Sequence, residues 1–298
     1  MRLIRDYEPK SELSRQFRHA LVITLTGNIL LAVVKSIAAR MSGSSAIYAD
    51  AINSISDVLY SILLVIGLWL SQQPPDLSHP QGHSRFEPFA ALIVTVSMAI
   101  AGAEAVRSSI VRFNAGGASI ALDWPSLALI LGIIIKVLMF TSVSKIGKTI
   151  ASPGIDAAAR DNLSDVFTTL AAFIGILGSN FISPLLDPLA GFFVALWIFK
   201  NVWTTVKENM RYLTGAGADE DLRQKLVDAV QEIEGVENIH HILTDYAGPK
   251  LVVEMHINAD GEISLNRSHA ICDQATAALE KLPEVDRAYV HVEPIGHI

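Results

Sequence analysis

Four oxygen-bearing side chains are spaced in pairs, four residues apart, within two apolar segments of this chain. Asn53 and Asp57 form the first pair, and Asp161 and Asp165 form the second. Residues at positions i and i+4 lie on one face of a helix, one turn apart, so each pair directs its side chains the same way. A carboxylate inside a bilayer is costly and usually lines a pathway or pairs with a cation. We expect the two pairs to face each other as a tetrahedral, all-oxygen cage for a divalent metal ion.

The ligand types of this cage bear on which metal it would hold. Oxygen ligands suit Mg²⁺, Ca²⁺ and Mn²⁺, whereas imidazole and thiolate suit Zn²⁺ and its neighbours. The cage contains neither His nor Cys, which favours Mn²⁺, with Fe²⁺ next; Zn²⁺ stays open because it also accepts carboxylate oxygen. The alternative is that these residues cap helices or bind neighbouring backbone groups. Two matched pairs in separate helices make that alternative weaker, because unpaired buried carboxylates are costly.

Two further groups of residues have the chemistry of metal ligands. Asp76, His79 and His83 follow the spacing D-x-x-H-x-x-x-H in a proline-rich loop, for which a solvated loop with unrelated histidines is an equal alternative. His291 and Glu293 alternate on one predicted strand and therefore face the same side. Together with other histidines of the last third, they favour a second metal-binding cluster over isolated surface histidines. The histidines concerned are His240, His241, His256, His269 and His291.

The composition is that of a membrane protein. Hydrophobic residues make up 51% of the 298 residues and charged residues 18%, with a mean hydropathy of +0.39; soluble domains carry about 25% charged residues. The net charge of -7 and the lack of a basic stripe argue against a nucleic-acid partner. A single cysteine excludes an internal disulfide. We find no nucleophile elbow, phosphate loop or HExxH pattern, so we expect a protein that is not an enzyme. The first residues are polar and charged, so we expect no signal peptide.

Six segments are apolar and long enough for the roughly 20 residues that a membrane-spanning helix requires. The second carries Asn53 and Asp57, and the fifth carries Asp161 and Asp165. Lys136 in the fourth is expected to snorkel or to pair, with no role in transport. Basic residues concentrate on one side of the six spans, which predicts that both termini are cytoplasmic. The six predicted spans are residues 20–41, 45–70, 88–111, 125–144, 157–179 and 187–205.

From about residue 215 the pattern changes to that of a soluble domain. Gly215, Ala216 and Gly217 predict a hinge, and Asp219 predicts the start of an amphipathic helix. Two short runs of β-forming residues, a second helix and a closing strand follow. The order α-β-β-α-β predicts a small α+β domain on the cytoplasmic side. We therefore divide the chain into a transmembrane domain, residues 1–214, and a cytoplasmic metal-binding domain, residues 215–298.

Over nearly its whole length the chain resembles the cation diffusion facilitators. The resemblance rests on the six spans, on the pairs in spans two and five, and on a metallochaperone-like C-terminal domain. Local runs agree as well: SAIYADA from Ser45, GHSRFEP from Gly82, and the Asp187-Pro188 dipeptide that opens span six. The resemblance implies a homodimeric metal/proton antiporter that exports divalent cations from the cytoplasm and lies in the cell (inner) membrane as a multi-pass protein. Its partners would be metal ions, protons, lipid and a second copy of the chain, with no other cofactor.

The resemblance also implies three metal sites. The transport site maps onto the cage, and the loop site maps onto the D-x-x-H-x-x-x-H residues. The cytoplasmic site, at the interface between two soluble domains, maps onto His240, His256, His269, His291 and Glu293. Zinc-transporting members commonly carry a histidine at the first position of a pair, where this chain has Asn53 and Asp161. The cage therefore looks like that of the manganese-exporting branch. The rival function from another class is a metal-responsive membrane sensor or scaffold that transports nothing, and a passive divalent channel is a further rival.

Overall fold

The computed structural model describes residues 11–42, 45–116 and 126–296. Some side chains within its helices, among them that of Asn53, lie outside the described part. The chain divides into two units, Met1–Asn209 and Met210–Ile298. The division falls five residues before the boundary expected from the sequence, within the last helix of the first unit.

Six long helices form the first unit. Proline lies in the first turn of three of them, at Pro88, Pro153 and Pro188, where its missing N–H costs no hydrogen bond. Most of the helices extend beyond the predicted apolar spans, because amphipathic turns continue them at one or both ends. Their bounds are α1 Ser11–Ser42, α2 Ser45–Ser71, α3 Phe86–Asn114, α4 Ser126–Ile150, α5 Pro153–Phe181 and α6 Leu186–Leu213.

Five of the six helices are long and apolar enough to cross a membrane. They contain the candidate spans Arg15–Ala38, Ser54–Ser71, Phe86–Asn114, Ile130–Ile150 and Pro188–Leu213. Within the described residues, α5 does not meet this criterion; its first half carries Asp156, Arg160 and the Asp161/Asp165 pair. Large apolar side chains such as Leu59, Leu138 and Phe193 are exposed on the outside of the unit, as expected for helices whose surroundings are hydrocarbon.

Small residues let the helices of the membrane unit approach closely. A Cβ at Gly27 of α1 would overlap the side chain of Met139 in α4, and one at Gly67 of α2 would overlap Ala90 in α3. Close packing of this kind is the main source of helix association where lipid is as apolar as the side chains. The interior is correspondingly apolar, with Leu68 fully buried. These contacts hold α1 against α4 and α2 against α3, while α1, α2, α4 and α5 meet around the polar residues described below.

The start of α5 is fixed by hydrogen bonds to α3. The Ser152 hydroxyl accepts from the backbone N–H of Ile155 and so caps the helix, and it donates to the buried carboxylate of Glu87. The preceding residue, Ala151, adopts a positive φ of 50° in the sharp turn between α4 and α5. The turn and the cap therefore set where α5 begins, and with it the positions of its aspartates.

The second unit is a three-stranded sheet with two helices on one face. Its elements are α7 Glu220–Gln231, β1 Asn238–Tyr246, β2 Leu251–Ala259, α8 Leu265–Glu280 and β3 Val285–Pro294, in the predicted order α-β-β-α-β. Strand order is β1-β2-β3, with β1 antiparallel and β3 parallel to β2. Asp219 and Ser264 cap the two helices. The core lies between helices and sheet, and includes Leu226, Met255 and Leu279, all fully buried.

Among the described residues of the second unit, both helices lie on one face of the sheet, and the other face is open. Along β2, Met255 and Ile257 point into the core, while Glu254 and His256 point the other way. The open face therefore carries the polar side chains of the strands. It is the face on which the histidines of this unit meet.

Candidate metal sites

Three carboxylates meet inside the membrane unit. Oxygens of Asp57 in α2 and of Asp161 and Asp165 in α5 all lie within 4.8 Å of one another. The i, i+4 spacing within α5 and the facing of α2 agree with the arrangement expected from the sequence. Asn53, the fourth predicted ligand, lies one turn before Asp57 on α2, but its side chain is outside the described residues. We call Asp57, Asp161 and Asp165 the membrane cluster.

The ammonium group of Lys136 in α4 lies against the membrane cluster. Its Nζ is 2.5 Å from Asp165 Oδ2 and 3.4 Å from Asp57 Oδ2. It also donates hydrogen bonds to Asn28 Oδ1 at 2.9 Å and to Asn162 Oδ1 at 3.3 Å. Only 4% of the residue is exposed. Of the two alternatives expected from the sequence, Lys136 therefore pairs and does not snorkel, and it lies at the membrane cluster, where the sequence assigned it no role.

The two asparagines have their oxygens directed at Lys136 by their other hydrogen bonds. The amide nitrogen of Asn28 donates to Ser61 Oγ at 2.7 Å, and that hydroxyl donates to the Asp57 carbonyl at 2.7 Å. The amide nitrogen of Asn162 donates to the Ala158 carbonyl at 3.0 Å. With their donors used in this way, both amides present an acceptor to the ammonium. Sequence reasoning missed both residues.

The sequence does contain a signal for Lys136. Three carboxylates predicted inside a bilayer require a counter-cation, and a lysine in the middle of an apolar span is by default its partner. The asparagines carry no comparable signal, since single amides inside apolar helices are compatible with many roles. When all are ionised, the three carboxylates, Lys136 and the buried Lys35, which acts on Asp57, sum to one negative charge. That balance attracts a divalent cation.

A second cluster lies in the loop between α2 and α3. Ligand atoms of Asp76, His79 and His83 lie within 4.8 Å of one another. Asp76 Oδ1 is 3.5 Å from His79 Nδ1, and Asp76 Oδ2 is 3.4 Å from His83 Nε2. The predicted spacing thus brings all three residues together, and we call them the loop cluster.

The loop cluster is held by its own backbone. The backbone N–H of His79 donates to Asp76 Oδ1 at 2.6 Å, which favours the ionised carboxylate and lowers the pKa of Asp76 below its ordinary value. His83 is buried against Phe86 at the start of α3, with ring centroids 5.7 Å apart. Asp76 and His79 are exposed. The loop therefore offers one fixed imidazole and two accessible ligands to a metal ion.

A third cluster lies on the open face of the sheet in the second unit. Ligand atoms of His240, His256 and Glu293 lie within 4.8 Å of one another. Glu293 Oε1 is 3.1 Å from His256 Nδ1, and Glu293 Oε2 is 3.3 Å from His240 Nε2. His291 joins at the edge, with its Nε2 3.4 Å from Glu293 Oε1. We call these four residues the histidine cluster.

A β-bulge explains how neighbouring histidines reach the same place. The pairing of β1 with β2 slips between Ile239 and His241, which leaves His240 as the extra residue. Both the His240 and His241 rings therefore approach His256, with centroids 5.7 Å and 4.9 Å away. In the described residues, His240 is the one of the pair that contacts Glu293.

His269 is not brought into the histidine cluster within one chain. It lies on α8, the helix layer that covers the other face of the sheet, and 75% of its side chain is exposed. Its Nε2 is 3.6 Å from Asp273 Oδ2, one turn along the same helix. A role for His269 as a ligand between two soluble domains stays a prediction from the resemblance.

Comparison with known proteins gives a consistent result along the whole chain. Residues 21–214 match the family model of the cation efflux transmembrane domain, and residues 218–295 match that of the cytoplasmic domain of cation efflux proteins, named for a dimer. The transporter MJ0449 of Methanocaldococcus jannaschii is 31% identical over 94% of this chain and 99% of its own length. Two manganese efflux system proteins of Bacillus subtilis are also similar. MneS is 28% identical over 92% of this chain and 94% of its length, and MneP is 26% identical over 95% and 98%.

Proposed function

Since the chain belongs to the cation diffusion facilitator family of metal efflux proteins, we propose that it exports Mn²⁺ from the cytoplasm in exchange for protons. The observation that carries this proposal is the membrane cluster. Three carboxylates from α2 and α5 meet within 4.8 Å in a unit built of membrane-length helices. Carboxylates in such surroundings are too costly to keep without a cation that they bind. With Asn53 as the fourth ligand, Asp57, Asp161 and Asp165 would form the transport site.

The choice of Mn²⁺ rests on ligand chemistry and on the relatives. All four proposed ligands supply oxygen, and oxygen ligands suit Mn²⁺. Sites that select Zn²⁺ commonly contain thiolate or imidazole instead. MneS and MneP, which are similar over nearly the whole chain, are named as manganese efflux proteins. Fe²⁺ is the next candidate, and Zn²⁺ the third.

Proton exchange would run through the aspartates. Metal enters from the cytoplasm and binds while the three carboxylates are ionised; the membrane unit then opens outward. Protons from outside neutralise carboxylates and release the metal. Asn53 does not titrate, so the proton steps fall to Asp57, Asp161 and Asp165. Groups this close titrate as a coupled set rather than one by one.

The other two clusters would act on the cytoplasmic side. The loop cluster would deliver metal towards the transport site, and the histidine cluster would sense cytoplasmic metal. Binding to the histidine cluster, completed by His269 across a dimer of cytoplasmic domains, would bias the membrane unit through its higher affinity for one conformation. This arrangement requires six spans with both termini in the cytoplasm, and a homodimer in the cell membrane.

The test is metal-dependent proton flux in proteoliposomes, with Mn²⁺, Fe²⁺, Zn²⁺ and Mg²⁺ compared side by side. The variants are wild type, Asn53→His and, as a matched control, Asn114→His at the exposed end of α3. We expect Mn²⁺ to be preferred over Zn²⁺ in wild type and in the control, and the preference to shift towards Zn²⁺ in Asn53→His by about tenfold, because an imidazole then enters the cage.

Other outcomes have clear meanings. Equal or faster Zn²⁺ flux in wild type would overturn the assignment to Mn²⁺ and place selectivity outside the ligand types. Flux without a proton gradient, at channel rates, would replace antiport by passive conduction. A protein that binds metal at the histidine cluster and moves no ion at all would be a metal-responsive sensor or scaffold, the rival that the exposed histidine cluster favours.

A further inference from the structure

The membrane cluster already holds a cation that belongs to the protein itself. The Lys136 ammonium is surrounded by four oxygens from four residues of three helices, at 2.5 to 3.4 Å. Two of these residues, Asp57 and Asp165, are proposed metal ligands. A metal ion bound to the same carboxylates would need the lone pairs that the ammonium now occupies. The two cations therefore exclude each other from this position.

The setting of Lys136 differs from that of a structural ion pair. A buried pair is balanced when one cation faces one anion, and even then its net contribution to stability is small. Here the Lys136 ammonium contacts two carboxylates, those of Asp57 and Asp165, and is held on a flexible four-carbon stem. The stem allows the ammonium to withdraw while its backbone stays fixed in α4. The direct contacts to Asp57 and Asp165 thus come from a single positive charge that can move.

We propose that Lys136 is a tethered cation that a divalent metal must displace, and that this displacement keeps monovalent ions out of the transport site. A sodium or potassium ion that replaced the ammonium would bring the same single charge and would gain no Coulomb energy from the carboxylates. A divalent ion brings twice the charge, and its gain offsets the loss of the ammonium contacts. Lys136 therefore selects divalent over monovalent ions. It also speeds release of the metal, because the ammonium returns to the carboxylates.

The experiment is equilibrium Mn²⁺ binding to the full-length protein in nanodiscs. All variants carry His79→Ala and His256→Ala, which remove ligands of the loop and histidine clusters, so that the remaining site is the membrane cluster. Binding is measured in choline chloride and again in sodium chloride, both at about 0.15 M so that screening is the same. The variants are Lys136→Met and Lys136→Gln, which remove the charge, Lys136→Arg, which keeps it, and Lys145→Met, an exposed lysine of the same helix.

In choline, we expect the charge-free variants to bind Mn²⁺ about tenfold more tightly, since a like charge at contact distance has been removed. Sodium should weaken binding in these two variants and leave wild type, Lys136→Arg and Lys145→Met unchanged. In transport assays of the same proteins without the two His→Ala changes, Lys136→Met should lower both KM and the maximal rate. A role in stability alone moves neither the sodium dependence nor KM in this direction.

Two results overturn the inference. One is Mn²⁺ affinity in choline that is unchanged or weaker in both charge-free variants, each verified as monodisperse by gel filtration. The other is tighter binding with no sensitivity to sodium. The inference rests on the proposed transport site, and Asp165→Asn separates the two failures. If Asp165→Asn binds Mn²⁺ as wild type does, the transport site itself is wrong. If it abolishes binding while the lysine variants behave as wild type, only the role of Lys136 is wrong.

Discussion

The membrane cluster and the histidine cluster bring together similar numbers of ligands by opposite means. In the membrane cluster every ligand atom is oxygen, and Asp57 and Asp165 have only 12% and 21% of their side chains exposed. In the histidine cluster three imidazoles surround one carboxylate on the open face of the sheet. His291 is 64% exposed, and the side chains of His240, His256 and Glu293 are 22% to 27% exposed. The carboxylates of the membrane cluster contact a lysine ammonium. The imidazoles of the histidine cluster contact the Glu293 carboxylate.

This difference teaches what burial demands of a metal site. A buried group of carboxylates needs a compensating partner, whether a metal ion, protons or a lysine, because an uncompensated charge away from water is costly. A cluster on an open sheet face, such as the imidazoles around Glu293, can instead be solvated by water. The membrane cluster is therefore suited to exchange one cation for another, and the histidine cluster is suited to bind and release a metal as its concentration changes.

The largest effect is expected from removal of a buried carboxylate of the membrane cluster. We expect Asp165→Asn to reduce metal transport by about 100-fold or more, since even outer partners of metal ligands are worth 10- to 100-fold. It should also destabilise the protein by about 3–5 kcal/mol, because the Lys136 ammonium loses its nearest counter-charge. Transport in proteoliposomes and thermal unfolding measure the two effects.

The double variant Asp165→Asn with Lys136→Met separates the two effects. It should recover most of the stability and none of the transport. Asp156→Asn is the matched control, because Asp156 lies on the same helix but pairs with Arg160 outside the cluster. Recovery of transport in the double variant would contradict a role for Asp165 as a metal ligand.

Removal of a ligand from the histidine cluster should have a smaller effect, and of another kind. We expect His256→Ala to weaken metal binding at the histidine cluster by about tenfold or more, because His256 contacts Glu293 from the centre of the group. The maximal transport rate should change by less than about threefold, with little loss of stability, since surface changes are usually within about 0.5 kcal/mol. Zn²⁺ titration and transport assays measure this.

His19→Ala, an exposed histidine of α1, is the control for this experiment. Loss of transport as complete as that of Asp165→Asn would show that the histidine cluster lies on the transport path, and the contrast between the two clusters would disappear.

The loop cluster lies between these extremes, and Asp76→Asn tests its place. The change removes the carboxylate that both imidazoles face, while the amide oxygen can still accept from the His79 backbone. We expect KM for the metal to rise by about three- to tenfold and the maximal rate to stay within about twofold, because the loop would deliver metal without taking part in its release. An equal fall in both kcat and kcat/KM would place Asp76 in the transport step.

The smallest effect is expected at His269. A change there tests whether the histidine cluster takes a ligand from a second chain. Among the described residues of one chain, the ion-pair partner of His269 is Asp273. His269→Ala should therefore weaken metal binding by less than about twofold in a monomeric state, for instance at high dilution in detergent. A tenfold loss that appears only under conditions where the protein is dimeric would make His269 a ligand across the interface.

Much of both clusters was predictable from local spacing. The i, i+4 pairs place Asp161 and Asp165 on one face of α5 because the helix repeats every 3.6 residues. The alternation of His291 and Glu293 places them on one face of β3 because the strand repeats every two. The order of elements in the cytoplasmic unit followed from caps, turns and apolar runs, each of which acts over a few residues.

Other features depend on contacts that spacing does not encode. His240 and His241 are neighbours, so a regular strand would direct them to opposite faces; the bulge against β2 directs both to His256. Pairing partners 15 residues and more away decide such a slip. The separation of His269 from the histidine cluster likewise follows from the packing of α8 on the other face of the sheet.

The sequence alone shows which carboxylates need a counter-charge, and the tertiary structure shows which residue supplies it. Carboxylates in apolar helices need a cation wherever they meet, and that requirement follows from their chemistry and their burial alone. That the cation is Lys136, with Asn28 and Asn162 as further partners, depends on the close approach of α1, α4 and α5. Lys136 and Asn28 are 108 residues apart in the chain, and no local periodicity relates two helices that far apart.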